Sequence, residues 1–176
     1  QIWMANNLST SVLNDGSSMI SGPNVPDPTP AFCYYDGHSE AYGGLGALYN
    51  WFAVNTGKLC PTGWHVPSDY EWGELIRYLG SDILIRGGKL KETGSVHWID
   101  PNYAATNEVG FTALPGGCYM NGHYVSLGAG AYWWTADPVP GGSFSDYYNL
   151  YNDTGIIYSA HTTRDIYYSV RCIKDN

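Results

Sequence analysis

Four cysteines, five histidines and a dense supply of Ser, Asp and Tyr are the residues of this 176-residue chain that could do chemistry. Cys33, Cys60, Cys118 and Cys172 are widely spaced and form no CxxC pair, which argues against a zinc ribbon or a thioredoxin-type motif. An even count in an acidic, Tyr- and Gly-rich chain points to an extracytoplasmic protein with one or two disulfides. Four cysteines allow three pairings, and free buried thiols are the alternative. The histidines, at 38, 65, 97, 123 and 161, show neither HExxH nor any paired spacing, so no metal site is expected. His65, between Trp64 and Val66, reads as a packed, hydrogen-bonded histidine. Ser, His and Asp are present without a nucleophile elbow, so no catalytic triad is expected, and no cofactor.

What remains is a surface chemistry of contact. The segment from Tyr132-Trp133-Trp134 to Ser169-Val170-Arg171-Cys172 is crowded with Tyr, Asn, Asp, Ser and Thr. Tyrosine supplies stiff, amphipathic contact area, and small polar residues supply adaptable hydrogen bonds. That mixture makes poor core and good binding surface; solvent-facing strands edged with Tyr are the plainer alternative. Between Thr135 and Ser169 there is no Lys, Gln, Glu, Met or Trp, the five types that an NNC codon cannot encode. Of the neighbours Trp133 and Trp134, alternation along a strand puts one towards the core and the other towards a ligand.

Composition sets the frame for those residues. Aromatics are 15% and charged residues 14%, with a net charge of -8, which argues against nucleic acid and anionic membranes as partners. No apolar run is long enough to span a membrane, so no direct insertion is expected. Nothing resembles a signal peptide, and the start at Gln1-Ile2-Trp3-Met4 reads as a mature or trimmed form. The length suits one domain over 1–176. With 22 Gly and 10 Pro, short strands and turns should dominate.

The elements that must position the tail follow from local pattern. Residues 2–8 read as an opening strand, 14–31 as a Pro-rich loop and 32–35 as a short strand. Leu45, Leu48, Tyr49 and Phe52 at i, i+3, i+4, i+7 predict a helix over 46–54. A strand over 64–66 precedes the plainest helix, 69–79: Ser68 is the N-cap, Glu71 closes a capping box, Trp72, Leu75, Ile76 and Leu79 form one stripe, and Gly80 stops it. Gly73 inside that helix costs about 1 kcal/mol, which suggests a close neighbour there. Residues 86–110 are an irregular excursion and 111–114 a strand. Asn121-Gly122 predicts a type I′ hairpin over 117–126. Strands over 132–135, 147–151, 156–158 and 167–173 complete an α+β domain with a mostly antiparallel sheet.

A set of signposts then carries a resemblance. They are Trp3-Met-Ala-Asn-Asn-Leu8, Gly46-Ala-Leu-Tyr-Asn-Trp51, Leu59-Cys-Pro-Thr-Gly-Trp-His-Val-Pro-Ser68, Gly88-Lys-Leu-Lys-Glu-Thr93, Gly110-Phe-Thr-Ala-Leu-Pro-Gly-Gly117, Tyr132-Trp-Trp134 and Ser169-Val-Arg-Cys172. Together they resemble the Fibrobacter succinogenes major paralogous domain, found in Bacteroidetes and their phages. That family is similar to the formylglycine-generating-enzyme branch of the C-type lectin fold, whose Leu-Pro-Thr-x-x-Glu-Trp motif Val66-Pro67-Ser68-Asp69-Tyr70-Glu71-Trp72 resembles. The resemblance implies two helices on a twisted, mostly antiparallel sheet, a binding face on the last strands, and chain ends close together. It also implies a Cys60–Cys172 disulfide, with Cys33–Cys118 a weaker second pair.

Relatives of this fold serve as variable proteins of diversity-generating retroelements. On that pattern Leu150, Ile157, Val170, Arg171 and Cys172 are scaffold. The implied ligand contacts are Trp134, Asp137, Asp146, Tyr147, Asn149, Tyr151, Asp153, Ile156, Tyr158, His161, Thr162, Thr163, Asp165 and Ile166. Tyr167 stands where Gly is usual and Asp146 where an aromatic is usual. Formylglycine formation needs a close late cysteine pair, which Cys172 lacks, so no enzyme activity carries over. Asp100-Pro101-Asn102 resembles a lectin calcium motif without its Trp-Asn-Asp partner. The implied partner is a protein or glycan on a cell surface, and the implied location is extracellular, cell-surface or on a phage particle. An invariant adhesion or structural domain, or an oxidoreductase with a reactive thiol, are the other readings.

Overall fold

The computed structural model describes residues 1–37 and 44–175; His38 lies outside them. The fold is mixed α+β, mostly sheet with few helices. Its strands in order are β1 (Ile20–Ser21), β2 (Ala31–Cys33), β3 (Leu48–Asn50), β4 (Trp64–His65), β5 (Gly116–Met120), β6 (His123–Leu127), β7 (Gly130–Pro138), β8 (Phe144–Tyr151), β9 (Tyr158–Thr163), β10 (Tyr167–Tyr168) and β11 (Ile173–Lys174). The helices are α1 (Trp51–Val54) and α2 (Asp69–Tyr78). One sheet runs β1-β2-β3-β10-β5-β6, a second pairs β11 with β4, and a third runs β7-β8-β9. Only the β1–β2 pair is parallel among these ladders.

α2 forms where its local chemistry predicts. Ser68 accepts from the Glu71 backbone N–H, and Glu71 returns a bond to the Ser68 N–H, so two orphan donors of the first turn are satisfied. The stripe of Trp72, Leu75 and Leu79 is buried, and Trp72 stacks on Tyr148 of β8 with ring centroids 5.0 Å apart. Gly73 has no neighbour where a Cβ would stand, so its cost in helix propensity goes unrecovered. The β5–β6 hairpin turns through Asn121 and Gly122, both at positive φ (51° and 82°), as a type I′ turn requires.

Other expectations are overridden by long-range pairing. The helix expected over 46–54 is a strand followed by one helical turn. Tyr49 pairs with Phe32 on one side and Tyr168 on the other, and both faces of β3 are buried, so no alternation marks it as a strand. Asn50 then caps α1 by accepting from Ala53 N–H. Residues 2–8 are tied to the C-terminal segment by Met4 N–H to Cys172 O (3.0 Å) and Leu8 N–H to Val170 O (2.8 Å), with only a bridge at Trp3. The strand expected over 111–114 is likewise one bridge, Lys91 to Ala113, because Thr112 sits at φ 51°. The strand expected over 156–158 begins only at Tyr158. That over 167–173 splits into β10 and β11, because Ser169 leaves β5 to bond β7 through Tyr132 and Trp134.

β7 is the spine of the core. Trp133 enters one apolar cluster with Trp72, Leu79, Leu90, Trp98, Phe111 and Leu150; Trp134 enters another with Trp51, Val54, Tyr168 and Val170. Alternation does place them on opposite faces, but both faces are covered, so neither indole reaches a ligand. Each indole N–H is satisfied inside, Trp133 on Asn7 Oδ1 (2.9 Å) and Trp134 on Tyr49 O (2.8 Å). Cys60 and Cys172 form the disulfide. Cys33 and Cys118 are free and buried. β3 and β10 lie between their strands, a gap of about 14 Å, twice what a disulfide can span.

Candidate ligand-binding surface

Register sorts the tail into two faces. Opposed residues of an antiparallel ladder share a face. One face of β7–β8–β9 therefore carries Tyr132, Trp134, Tyr147, Asn149, Tyr158, Ala160 and Thr162; the other carries Trp133, Phe144, Asp146, Tyr148, Ser159, His161 and Thr163. The expected contact residues do not form one surface but divide between these two.

The first face is a tyrosine ladder rising from the core to the surface. Tyr132 stacks on Tyr168 at 5.1 Å and 10°, and Tyr147 meets Tyr168 at 4.7 Å. Tyr132 meets Tyr151 at 6.0 Å, and Tyr151 meets Tyr158 at 5.9 Å. Exposure grows outward, from 7% at Tyr132 to 36% at Tyr151 and 39% at Tyr158. Burial raises the Tyr147 phenol above its ordinary pKa, and burial does the same for Tyr132, so both stay neutral hydrogen-bonding groups. Three expected contacts fail here. Trp134, Asn149 and Ile166 are buried, because the six-stranded sheet and its cluster cover the inner end of this face.

The second face carries acid. Asp137 Oδ2 accepts from the Asp69 backbone N–H (2.5 Å), and Asp69 Oδ1 accepts from Tyr148 Oη (2.7 Å). Asp146 lies nearby, and burial first, then the charges of Asp69 and Asp137, raise its pKa above the usual value. Asp69 was invisible to sequence reasoning because it reads as an ordinary first-turn helix acid. His161 pairs with Asp146 across the ladder and contacts Phe144 at 5.7 Å. Phe144 is 42% exposed and was also missed.

The turn between β8 and β9 brings Asp153 and Ile156 to the rim, Asp153 exposed and Ile156 half-buried. It is held by the irregular excursion. The buried Lys91 donates from Nζ to Tyr151 O and Thr154 O, both at 3.0 Å. Burial pulls its pKa down to about 8, with Asp153 opposing. Gly87 and Gly88 both donate to Gly155 O (2.7 and 3.2 Å), a crossing so close that a Cβ on Gly87 would meet Ile156 O at 2.8 Å. The Gly-Gly pair was the one sequence signal for this clamp. At the other end, Arg164 donates from Nε to Ser145 Oγ (3.1 Å) and lies over Trp51 at 4.5 Å, pinning the exit of β9. Asp165 is exposed beside it.

The remaining chemistry is committed elsewhere. Asn102 of the Asp-Pro-Asn turn is buried and donates to Glu92 O and Gly94 O, so this motif serves the backbone. Burial raises the thiols of Cys33 and Cys118 to about 12, which leaves them protonated at neutral pH. Among the described residues, no group of three His, Cys, Asp or Glu side chains is arranged to hold a metal ion. Likewise among them, no helix is long and apolar enough to cross a membrane.

Neither curated proteins nor solved structures provide a match to this chain. The family model of the Fibrobacter succinogenes major domain matches residues 1–174, nearly the whole chain. Of the scaffold residues that frame the hairpin, Leu150, Val170, Arg171 and Cys172 are buried and Ile157 is partly buried, all within this matched span, and the chain belongs to the Fibrobacter succinogenes major domain family.

Proposed function

We propose that the chain is a non-enzymatic binding module of C-type lectin-like architecture, whose β8–β9 hairpin engages a protein or glycan ligand at a cell surface. One observation carries this reading. β9 is the outermost strand of its sheet and is solvent-accessible along its whole length, on both faces, while the strand two places inward is core. The residues concentrated there are Tyr, Ser, Thr and His, which favour contact over packing. The Cys60–Cys172 disulfide supports an extracytoplasmic location, at a cell surface or on a phage particle.

Diversification by a retroelement belongs to this proposal, with a narrower set of positions. Trp134, Asn149 and Ile166 are fixed by packing, and variation is confined to Asp137, Asp146, Tyr147, Tyr151, Asp153, Ile156, Tyr158, His161, Thr162, Thr163 and Asp165. Sister copies of the chain should differ at these and agree at the buried three. Uniform divergence would favour an invariant adhesion domain.

The binding reading itself is tested with Tyr151→Ala/Tyr158→Ala in ligand screens of the wild-type and double variant. Both rings are more than one-third exposed, so the variant should keep its melting temperature within a few degrees. Binding should fall by about a hundredfold, the loss of two aromatic anchors. Unchanged affinity would remove the tyrosine ladder from the site.

A further inference from the structure

We infer that the ligand is a protein, and that it binds by adding an extended segment bearing Lys or Arg to the free outer edge of β9. This rests on the binding reading above and names the partner class for it. β9 pairs with β8 through six successive residues, Tyr158–Thr163, without a register shift, and among the described residues no strand lies on its other side. In an antiparallel ladder every second residue turns its N–H and C=O outward, so about three residues offer both groups over roughly 20 Å. Thr163 O already accepts from Ile166 N–H (3.5 Å), which closes the edge at that end.

Exposed edges are normally blunted by Lys, Pro, a bulge, short length or a covering loop. Among the described residues β9 has none of these, since its sequence is Tyr-Ser-Ala-His-Thr-Thr and its side chains are accessible on both faces. The other edges are blunted: β1, β4 and β11 have two residues each, β6 is kinked by Ser126 at φ 63°, and β7 is covered by Ser169 and Pro67, which bond Tyr132, Trp134 and Ala136. A free, regular edge is the geometry of strand addition, where main-chain bonds give affinity and alternate side chains give specificity.

Charge selects the occupant. One strand in from the edge, Asp146 forms no ion pair among the described residues; burial first, then the charges of Asp69 and Asp137, raise its pKa, with His161 across the ladder opposing only in part. A lysine or arginine stem on the added strand reaches across β9 to this carboxylate. A second copy of the chain is disfavoured, because edge-to-edge pairing would oppose two molecules of net charge -8.

The probe is peptides selected on the intact protein from a random-sequence display library, followed by amide hydrogen exchange and affinity measurement. Selected peptides should be basic, and they should protect the outward amides of β9. N-methylation of alternate peptide residues should abolish binding in one phase and leave it in the other. Asp146→Asn should weaken binding by roughly tenfold at low salt and less at high salt, with an unchanged melting temperature, because its carboxylate makes no hydrogen bond among the described residues. Peptides that bind without protecting β9 would overturn the edge inference and leave the tyrosine face as the site. Glycan binding with no peptide binding would do the same. Concentration-dependent self-association protecting β9 would replace the occupant by a second copy. A wild-type protein that binds neither peptides nor glycans would sink the binding reading as well.

Discussion

At the scale of single residues, the frame that carries the tail holds groups that have one acceptable state. His65 is the clearest case. Its Nδ1 faces Asp175 Oδ1 at 2.6 Å and its Nε2 faces Glu71 Oε1 at 2.8 Å, and only the imidazolium can donate to both. Sequence reasoning placed this histidine in a packed strand; it is satisfied, but its side chain is 42% exposed. Burial works against the charged form, yet the hydrogen bonds that the ring donates to Asp175 and Glu71 prevail and raise its pKa above 6.5. Burial also opposes the charge on Glu71, but the Ser68 bonds and His65 hold its pKa below 4.5. The signs follow from linkage. The raised histidine contributes stability fully present below 6.5 and lost as pH rises through its folded pKa; the lowered glutamate contributes stability present above 4.5 and lost as pH falls through its own. This pair therefore works best between those two values. NMR titration should give His65 a pKa above 6.5, and His65→Gln should flatten the decline in melting temperature on the alkaline side. A His65 pKa at or below 6.5 would remove the ion-pair account.

At the scale of elements, the hairpin is only as well placed as the excursion that clamps its turn. Lys91 is fully buried without a carboxylate in contact among the described residues, and it spends its ammonium on Tyr151 O and Thr154 O. Lys91→Met keeps most of the volume and removes both bonds. It should cost about 2–3 kcal/mol, and hydrogen exchange at 151–157 should rise more than at α2, which shares no bond with it. Equal loosening everywhere would make Lys91 a general core residue and not a clamp. This element also shows what sequence can reveal. α2 was legible because Ser68, Glu71 and the Trp72–Leu75–Leu79 stripe are local signals that tertiary structure does not contradict. β3 carries helical spacing yet forms a strand, because Tyr49 is committed by Phe32 and Tyr168, and no local signal records those partners. The tail's contact chemistry was visible in composition. Its depth was not, because burial of Trp134, Asn149 and Ile166 depends on a sheet assembled from the other half of the chain.

At the scale of the molecule, a surface hairpin can tolerate varied residues only if the frame around it does not depend on them. The frame is closed by contacts between the chain's two ends: Lys174 N–H bonds Ile2 O at 2.9 Å, Trp3 bridges Ile173, and the buried Arg171 donates to Asn7 Oδ1 and Phe111 O. The Cys60–Cys172 disulfide locks that closure across 112 residues of sequence. On the chain-entropy model a loop of this length is worth up to about 4.7 kcal/mol, a large share of the roughly 5–15 kcal/mol that holds a domain together. The disulfide restrains the unfolded chain, so its contribution is indifferent to which side chains β9 carries. Cys60→Ala/Cys172→Ala should therefore lower unfolding free energy by about 3–4 kcal/mol in denaturant titration. Substitutions at Tyr158, His161 and Thr163 should each stay within about 0.5 kcal/mol, with or without the bond. Strong coupling between the disulfide and these surface positions would mean that the hairpin is part of the frame and is not free to vary.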